Sequence, residues 1–150
     1  MTESDKIEIL LSTIDRHWGQ AKQSEDQRSK MTNYLLVLYL AAQGFIVQKD
    51  FDRSTIMVSV IIIIVAIYGV LASFKYYERF RLHATRVGRL MDVFDKFSDG
   101  ISLNIIEKTA DNDHKLNFPR LHKIRLNKIW ILLHCAFAVV GVVDICISFS

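Results

Sequence analysis

Residues 55–74, TIMVSVIIIIVAIYGVLASF, are twenty consecutive positions without a charge. As a helix rising about 1.5 Å per residue they reach roughly 30 Å, the thickness of a bilayer's hydrocarbon core. The stretch reads as a transmembrane helix, in a chain of 150 residues that is 51% hydrophobic. Two further blocks follow the same logic. Residues 129–149 form a run of 21 broken only by His134 and Asp144, also long enough to cross. Residues 34–47 are shorter, but the uncharged residues 31–33 extend them to about 27 Å. This first block reads as a span over 31–48, with a re-entrant or interfacial helix as the alternative. The expected architecture is an all-α membrane protein forming one helical membrane domain over 1–150. Its parts are an amphipathic N-terminal helix, a transmembrane hairpin, a long cytoplasmic helix and a third, C-terminal transmembrane helix.

The flanks give the orientation. Of 19 Lys and Arg, five lie in residues 1–31, two in the turn QKDFDRS and twelve in 75–128. Positive charge near span ends marks the cytoplasmic side, so 1–30 and 75–128 are expected there, with the short turn and the C-terminus outside. The first thirty residues are largely charged and polar, so no cleavable signal peptide is expected. Cys135 and Cys146 sit inside the third block, eleven apart, a spacing that suits neither a metal nor a redox pair.

The cytoplasmic parts read as helices. Ile7, Leu10, Leu11, Ile14, Trp18 and Ala21 recur at steps of three and four, behind Thr2 as N-cap and acidic Glu3 and Asp5. With five basic residues against six acidic, this helix suits protein packing better than anionic lipid. After the second span Tyr77, Phe80, Ala84, Val87, Met91 and Phe94 make a heptad seam. Lys75, Arg79, His83, Arg86 and Arg89 fall in a sector of roughly 120° on the other side. A solvated face normally mixes signs, whereas this stripe does not. Residues 115–128, KLNFPRLHKIRLNK, add five cations including Lys123 and Arg125 and no carboxylate. Together these segments suit a phosphodiester ligand, membrane anchoring being the competing reading. Between them, Gly100 is expected to stop a helix and His114 to lie in a solvated loop. DNDHK lacks the glycine and the final carboxylate of a calcium loop.

No nucleotide loop, dinucleotide fingerprint, HExxH or GxSxG occurs, so an enzyme, a metal centre and a cofactor are not expected. What remains is polarity within the third span. His134, Phe137, Gly141, Asp144 and Ser148 step by three and four and share one face. Ionisable groups in lipid turn to a bundle interior or a water-filled path, so this face is a candidate pore lining, with Phe137 as constriction. Because so small a protomer cannot enclose a path alone, a homo-oligomer, a tetramer in the simplest case, is expected. Gly69 and Ser73 form a small-xxx-small pair, suited to helix packing.

The amphipathic N-terminal helix, the tight hairpin and a cytoplasmic helix opening FKYYERFRLHATRVGRL resemble the SLATT group, the two-transmembrane effectors associated with SMODS and SLOG proteins in bacterial conflict systems. The third segment introduced by FPRLHKIRLNKIWILLH is similar to the membrane effectors of Hailong-type anti-phage systems. One departure is that SLATT proteins have two spans and this chain reads as three. The resemblance implies a pore in the bacterial inner membrane, gated by a nucleotide or short DNA oligomer made by a neighbouring nucleotidyltransferase. A non-conducting anchor or adaptor recruiting a cytoplasmic partner is the alternative.

Overall fold

The computed structural model describes residues 2–97, 100 and 102–150. It is 88% helical, with no strand among the described residues. Four helices carry the chain: α1 (Glu3–Gln48), α2 (Ile56–Phe94), α3 (Leu103–Asn117) and α4 (Leu126–Ser148). α1, α4 and the Arg53–Phe94 stretch that contains α2 are each long and apolar enough to cross a membrane. The N-terminal cap is where the sequence places it. Asp5 N donates to Thr2 Oγ1 at 3.2 Å, and Thr2 N donates back to Asp5 Oδ2 at 2.7 Å, a reciprocal cap.

The expected amphipathic helix and first span form one uninterrupted helix of 46 residues, and the second span and cytoplasmic helix form one of 39. Composition changes at these junctions, but no Pro or Gly cluster breaks the backbone, so the helix continues. Covered or half-covered residues recur along α1 at 7, 10, 14, 17, 21, 24, 28, 32, 35, 39, 42 and 46. From Thr55, the last residue of the short turn before α2, they recur along α2 at 59, 62, 66, 69, 73, 76, 80, 83, 87, 90 and 94. Both are heptad stripes.

By contacts the chain divides into two compact units. The first comprises Asp26–Tyr77 and Leu126–Ser150. Its hairpin turn places Asp50 and Phe51 in the left-handed region, at φ of 48° and 56°. For Phe51 this is strained, at a cost of about 1–3 kcal/mol. The ring packs on the core below, and Phe51 N donates to Ile46 O at 3.2 Å. Asp52 then accepts from Ser54 N at 2.8 Å and starts a short 3₁₀ turn, Arg53–Thr55. That backbone hydrogen bond, with others from the same turn, holds the Asp52 carboxyl below its ordinary range.

Within this unit α1 and α4 run parallel in a nearly fixed register: Arg28 meets Asn127, Thr32 meets His134 and Gln43 meets Asp144. α2 runs against them, with Gly69 on His134 and Ser59 and Ile63 on Gly141. The apolar core is small: Leu35, Tyr39, Ile46, Ile62 and Ala66. The buried polar residues are more numerous, namely Arg28, Thr32, Thr55, Ser59, Ser73, Asn127, His134, Asp144 and Ser148. Val37, Ile64 and Val139 are meanwhile 60–65% exposed. Polar groups inside and aliphatic groups outside is the distribution a hydrocarbon solvent dictates.

The second unit comprises Met1–Glu25 and Glu78–Arg125. Ala21 and Val87 are its buried apolar residues, and an apolar hollow of about 270 Å³ opens among Leu11, Ile14, Trp18, Val87 and Met91. α3 is tied to the end of α2 by Asp95. Its carboxylate accepts from Ser102 Oγ and Leu103 N, both at 2.8 Å, while Asn104 Nδ2 donates to Asp92 Oδ1 at 2.8 Å. Burial works against ionisation of Asp95, but these hydrogen bonds outweigh it and hold the carboxyl below its ordinary range. Gly100, at φ of +88°, lies where the chain leaves α2 for α3. The DNDHK stretch with His114, expected to be a loop, is helical within α3. Ser102 caps that helix, and Asn, Asp and Lys continue it without a breaker.

The glycines divide by what surrounds them. A Cβ on Gly69 would stand 2.5 Å from His134 Nδ1, and one on Gly141 2.8 Å from Ile63 Cγ1 and 3.1 Å from Ser59 O. Gly44 and Gly88 have nothing within 4 Å. Gly69→Ala and Gly141→Ala should each destabilise by about 1–3 kcal/mol. Gly44→Ala and Gly88→Ala should be neutral or stabilising. Melting of the four variants in detergent tests this, and equal behaviour of the two pairs would refute the helix register.

Candidate functional site: an arginine face and a buried polar seam

α2 presents its arginines because the opposite side is spent in packing. Val87 is 7% exposed, and Phe80, Ala84, Met91 and Phe94 are half-buried, as the heptad seam predicts. Arg79, Arg86 and Arg89 are exposed. Arg81, Arg86 and Arg89, with Leu82 and Thr85, line an open hollow of about 380 Å³. Among the described residues none of these four arginines has a carboxylate partner. A guanidinium cluster without carboxylate partners is chemically suited to phosphate, because each planar fork can take two oxygens. Lys75 is exposed as well, but it belongs to the other unit.

His83 departs from the stripe. At 100° per residue it is the stripe member nearest the seam, about 40° from Val87, and it is buried. Its Nδ1 lies 3.2 Å from Nδ1 of His17 on α1, the rings tilted by 31°. One ring must donate and the other accept, so the contact needs at least one neutral imidazole. Burial lowers the His83 pKa, and His17, Arg86 and Arg79 lower it further. The exposed surface is therefore one of arginines, with His83 beneath it. Lys123 and Arg125 are exposed too, but the structure does not bring them to the arginine hollow. The ring contacts around them join His114 to Phe118 and His122.

In the other unit, His134, Phe137, Gly141, Asp144 and Ser148 share one face of α4, as their spacing predicts. That face meets α1 and α2 of its own chain. Phe137 stacks on Tyr39 at 4.0 Å, 26° from parallel, which makes the expected constriction a core contact within one protomer. His134 is fully buried, its Nε2 3.5 Å from Thr32 Oγ1 and its Nδ1 3.5 Å from Tyr39 OH, both long. Gln43 Nε2 donates to Asp144 Oδ1 at 3.1 Å, while Asp144 Oδ2 is buried without a hydrogen-bond partner. Ser73 Oγ and Trp130 Nε1 are in the same condition. At the seam's other end Arg28 donates to Asn127 Oδ1 at 3.3 Å, its guanidinium carbon 5.8 Å from the Trp130 ring.

Thr32, Tyr39 and Gln43 on α1 and Ser59 and Ser73 on α2 complete this seam, and of these only Ser73 stood out in the sequence, as a packing residue. Their steps of three and four inside otherwise apolar blocks are the signal that reveals them. Gly69 and Ser73 do mediate packing, Gly69 directly on His134. Comparison with protein-family models, curated proteins and solved structures gave no match to the chain. The residues themselves carry the functional argument.

The His17–His83 pair has a pH signature. A histidine held below its ordinary value of 6.5 takes up a proton when the chain unfolds. Its contribution to stability is complete above that value and declines as pH falls below it. The melting temperature in detergent should therefore drop between pH 7.5 and 5.5, and drop less in His83→Gln. An identical pH slope in both proteins would remove the pair from the account.

Proposed function

We propose that the protein is a homo-oligomeric membrane channel effector, with a nucleotide or short DNA oligomer bound at the arginine face of α2 setting its state. The observation that carries the reading is the under-satisfied seam. Polar groups recur along the whole interior of a lipid-suited helical unit, yet three of them are buried without partners. Each such atom costs about 1–3 kcal/mol. Water entering a parted seam would recover that cost, so the dry seam is held less firmly than a fully paired one; in the oligomer the parted seams of several protomers would face a common axis to conduct. The aliphatic outward faces offer no competing polar path.

The second support is the arginine face, whose charge exceeds what orientation in the membrane requires. α2 is one helix through both units, so a ligand that shifts its cytoplasmic part acts on the helix bearing Ser59, Gly69 and Ser73. On this reading the N-terminus is cytoplasmic, the membrane is the bacterial inner membrane, and the ligand comes from a neighbouring nucleotidyltransferase in an anti-phage system, the context implied by the resemblance to SLATT effectors. The protomer number is proposed as four. The adaptor reading is favoured by one observation, the Tyr39–Phe137 stack that closes the seam.

Short single-stranded DNA and cyclic dinucleotides should bind purified protein, and Arg79→Gln/Arg86→Gln/Arg89→Gln should weaken that binding. If about three phosphates are neutralised, wild-type affinity should fall roughly tenfold or more between 50 and 200 mM salt, and the variant should respond much less. Equal binding by both proteins would move the ligand elsewhere. Phe137→Ala, which unstacks Tyr39, should raise ion flux in liposomes, whereas lipid-facing Val139→Ala should not. Absence of flux in every protein and ligand condition would favour the adaptor.

A further inference from the structure

We infer that residues 118–125 are a membrane-surface foot that grips anionic lipid phosphates on the cytoplasmic leaflet, a function separate from the arginine face. The inference rests on the reading of α4 as a membrane span. Every residue from 105 to 126 is exposed, including those of the 3₁₀ turn Leu121–Lys123. The turn is well formed: Lys123 N donates to Arg120 O at 3.2 Å and Ile124 N to Leu121 O at 3.0 Å. The 3₁₀ turn covers Leu121–Lys123, with Phe118 and Ile124 in non-helical backbone on either side of it. Phe118, Leu121 and Ile124 are 48%, 66% and 55% exposed, interleaved with the exposed cations Arg120, Lys123 and Arg125. Such a stretch carries both groups that a lipid interface takes, apolar side chains for the acyl boundary and cations for the headgroups.

Two observations select lipid over a protein partner. The chain runs straight from Arg125 into α4 at Leu126, so Leu121 lies within about 18 Å of the span's first residue however the backbone is drawn out. The charge also divides sharply along the exposed arm. α3 carries Glu107, Asp111 and Asp113 against Lys108 and Lys115, whereas residues 118–128 hold Arg120, Lys123, Arg125 and Lys128 and no carboxylate. A helix with a slight negative excess gains nothing from an anionic surface while the basic turn after it is attracted, so the foot docks while α3 stays in water. Lys123 and Arg125 thereby leave the phosphodiester site suggested by sequence and serve the bilayer.

The test uses full-length protein carrying C135S and C146S, with an environment-sensitive fluorophore on L121C, I124C or, as control, D111C. Each is reconstituted in vesicles of phosphatidylglycerol with phosphatidylcholine, or of phosphatidylcholine alone. Labels at 121 and 124 should emit as in an apolar medium in the anionic vesicles. The shift should shrink in phosphatidylcholine and in Arg120→Gln/Lys123→Gln/Arg125→Gln, and the label at 111 should report water throughout. Labels at 121 and 124 as wet as at 111, in protein that resists alkaline extraction, would overturn the foot. Reversal of the shift by short single-stranded DNA would also overturn it, returning these cations to the ligand site. Protein released by alkaline extraction would overturn the membrane reading, and the foot with it.

Discussion

The His134 ring rests against the bare backbone of Gly69, and the register of the lipid-suited unit depends on that approach. Any side chain at 69 would push α2 from α4 and break the packing around the buried imidazole of His134. With the contact made, the heptad step of α4 carries Gly141 to Ser59 and Ile63, a second close approach that only glycine permits. Between these two points the helices stand at backbone distance, which lets short hydroxyl side chains serve as interior groups. α1 then supplies what the glycines cannot, the longer Thr32, Tyr39 and Gln43 that reach His134 and Asp144.

The two units use one heptad pattern with different outer faces, charged in one and aliphatic in the other. The covered positions of α1 and α2 keep a heptad step along both helices and mix apolar with polar residues in both units, Ala21, Ser24, His83 and Val87 in one, Leu35, Ile62, Thr32 and Ser59 in the other. What changes is the uncovered face, which carries charged residues such as Arg16 and Arg86 in the first and Val37 and Ile64 in the second. Burial of apolar area drives the first arrangement. For the second, on the proposed reading of its helices as membrane spans, lipid would be as apolar as the side chains, and dispersion packing and hydrogen bonds would hold the helices. A long helix can change regime without a break because heptad periodicity specifies which face is covered and leaves open what covers it.

The same distinction decides what the sequence disclosed. Apolar blocks of sufficient length, the Thr2 cap, the seam around Val87 and the shared face of His134, Phe137, Gly141, Asp144 and Ser148 follow from spacing and were legible. What the α4 face meets was not, since a polar stripe suits an oligomer axis or the protomer's own neighbours equally well. The junctions inside α1 and α2 looked like element boundaries because composition changes there, yet Lys, Gln, Glu and Arg propagate a helix as well as Leu does. His83 was read with the stripe because its angle falls inside the sector of roughly 120°, although it stands at that sector's edge, beside Val87. The strain at Phe51 has no local signature, because a bulky residue enters the left-handed region only when tertiary packing holds it there.

The proposed gating can be weighed against these contacts. A switch from one closed protomer in a hundred to ninety-nine needs a ligand that prefers one state by about 5.5 kcal/mol. Charge-assisted hydrogen bonds contribute about 1.5–3 kcal/mol each, so three arginine–phosphate contacts made in one state and lost in the other supply that difference. A firmly closed seam would leave the ligand too little leverage. The three partnerless atoms bring the dry state nearer a hydrated one by several kcal/mol, while the Tyr39–Phe137 stack, at about 0.5–1.5 kcal/mol beyond its burial, and the small core around Ile62 hold it shut. On the proposed gating, the imperfect satisfaction of Ser73, Trp130 and Asp144 would bring the switch within reach of so few phosphate contacts. A better-paired seam would be more stable and could not be opened by a small anion.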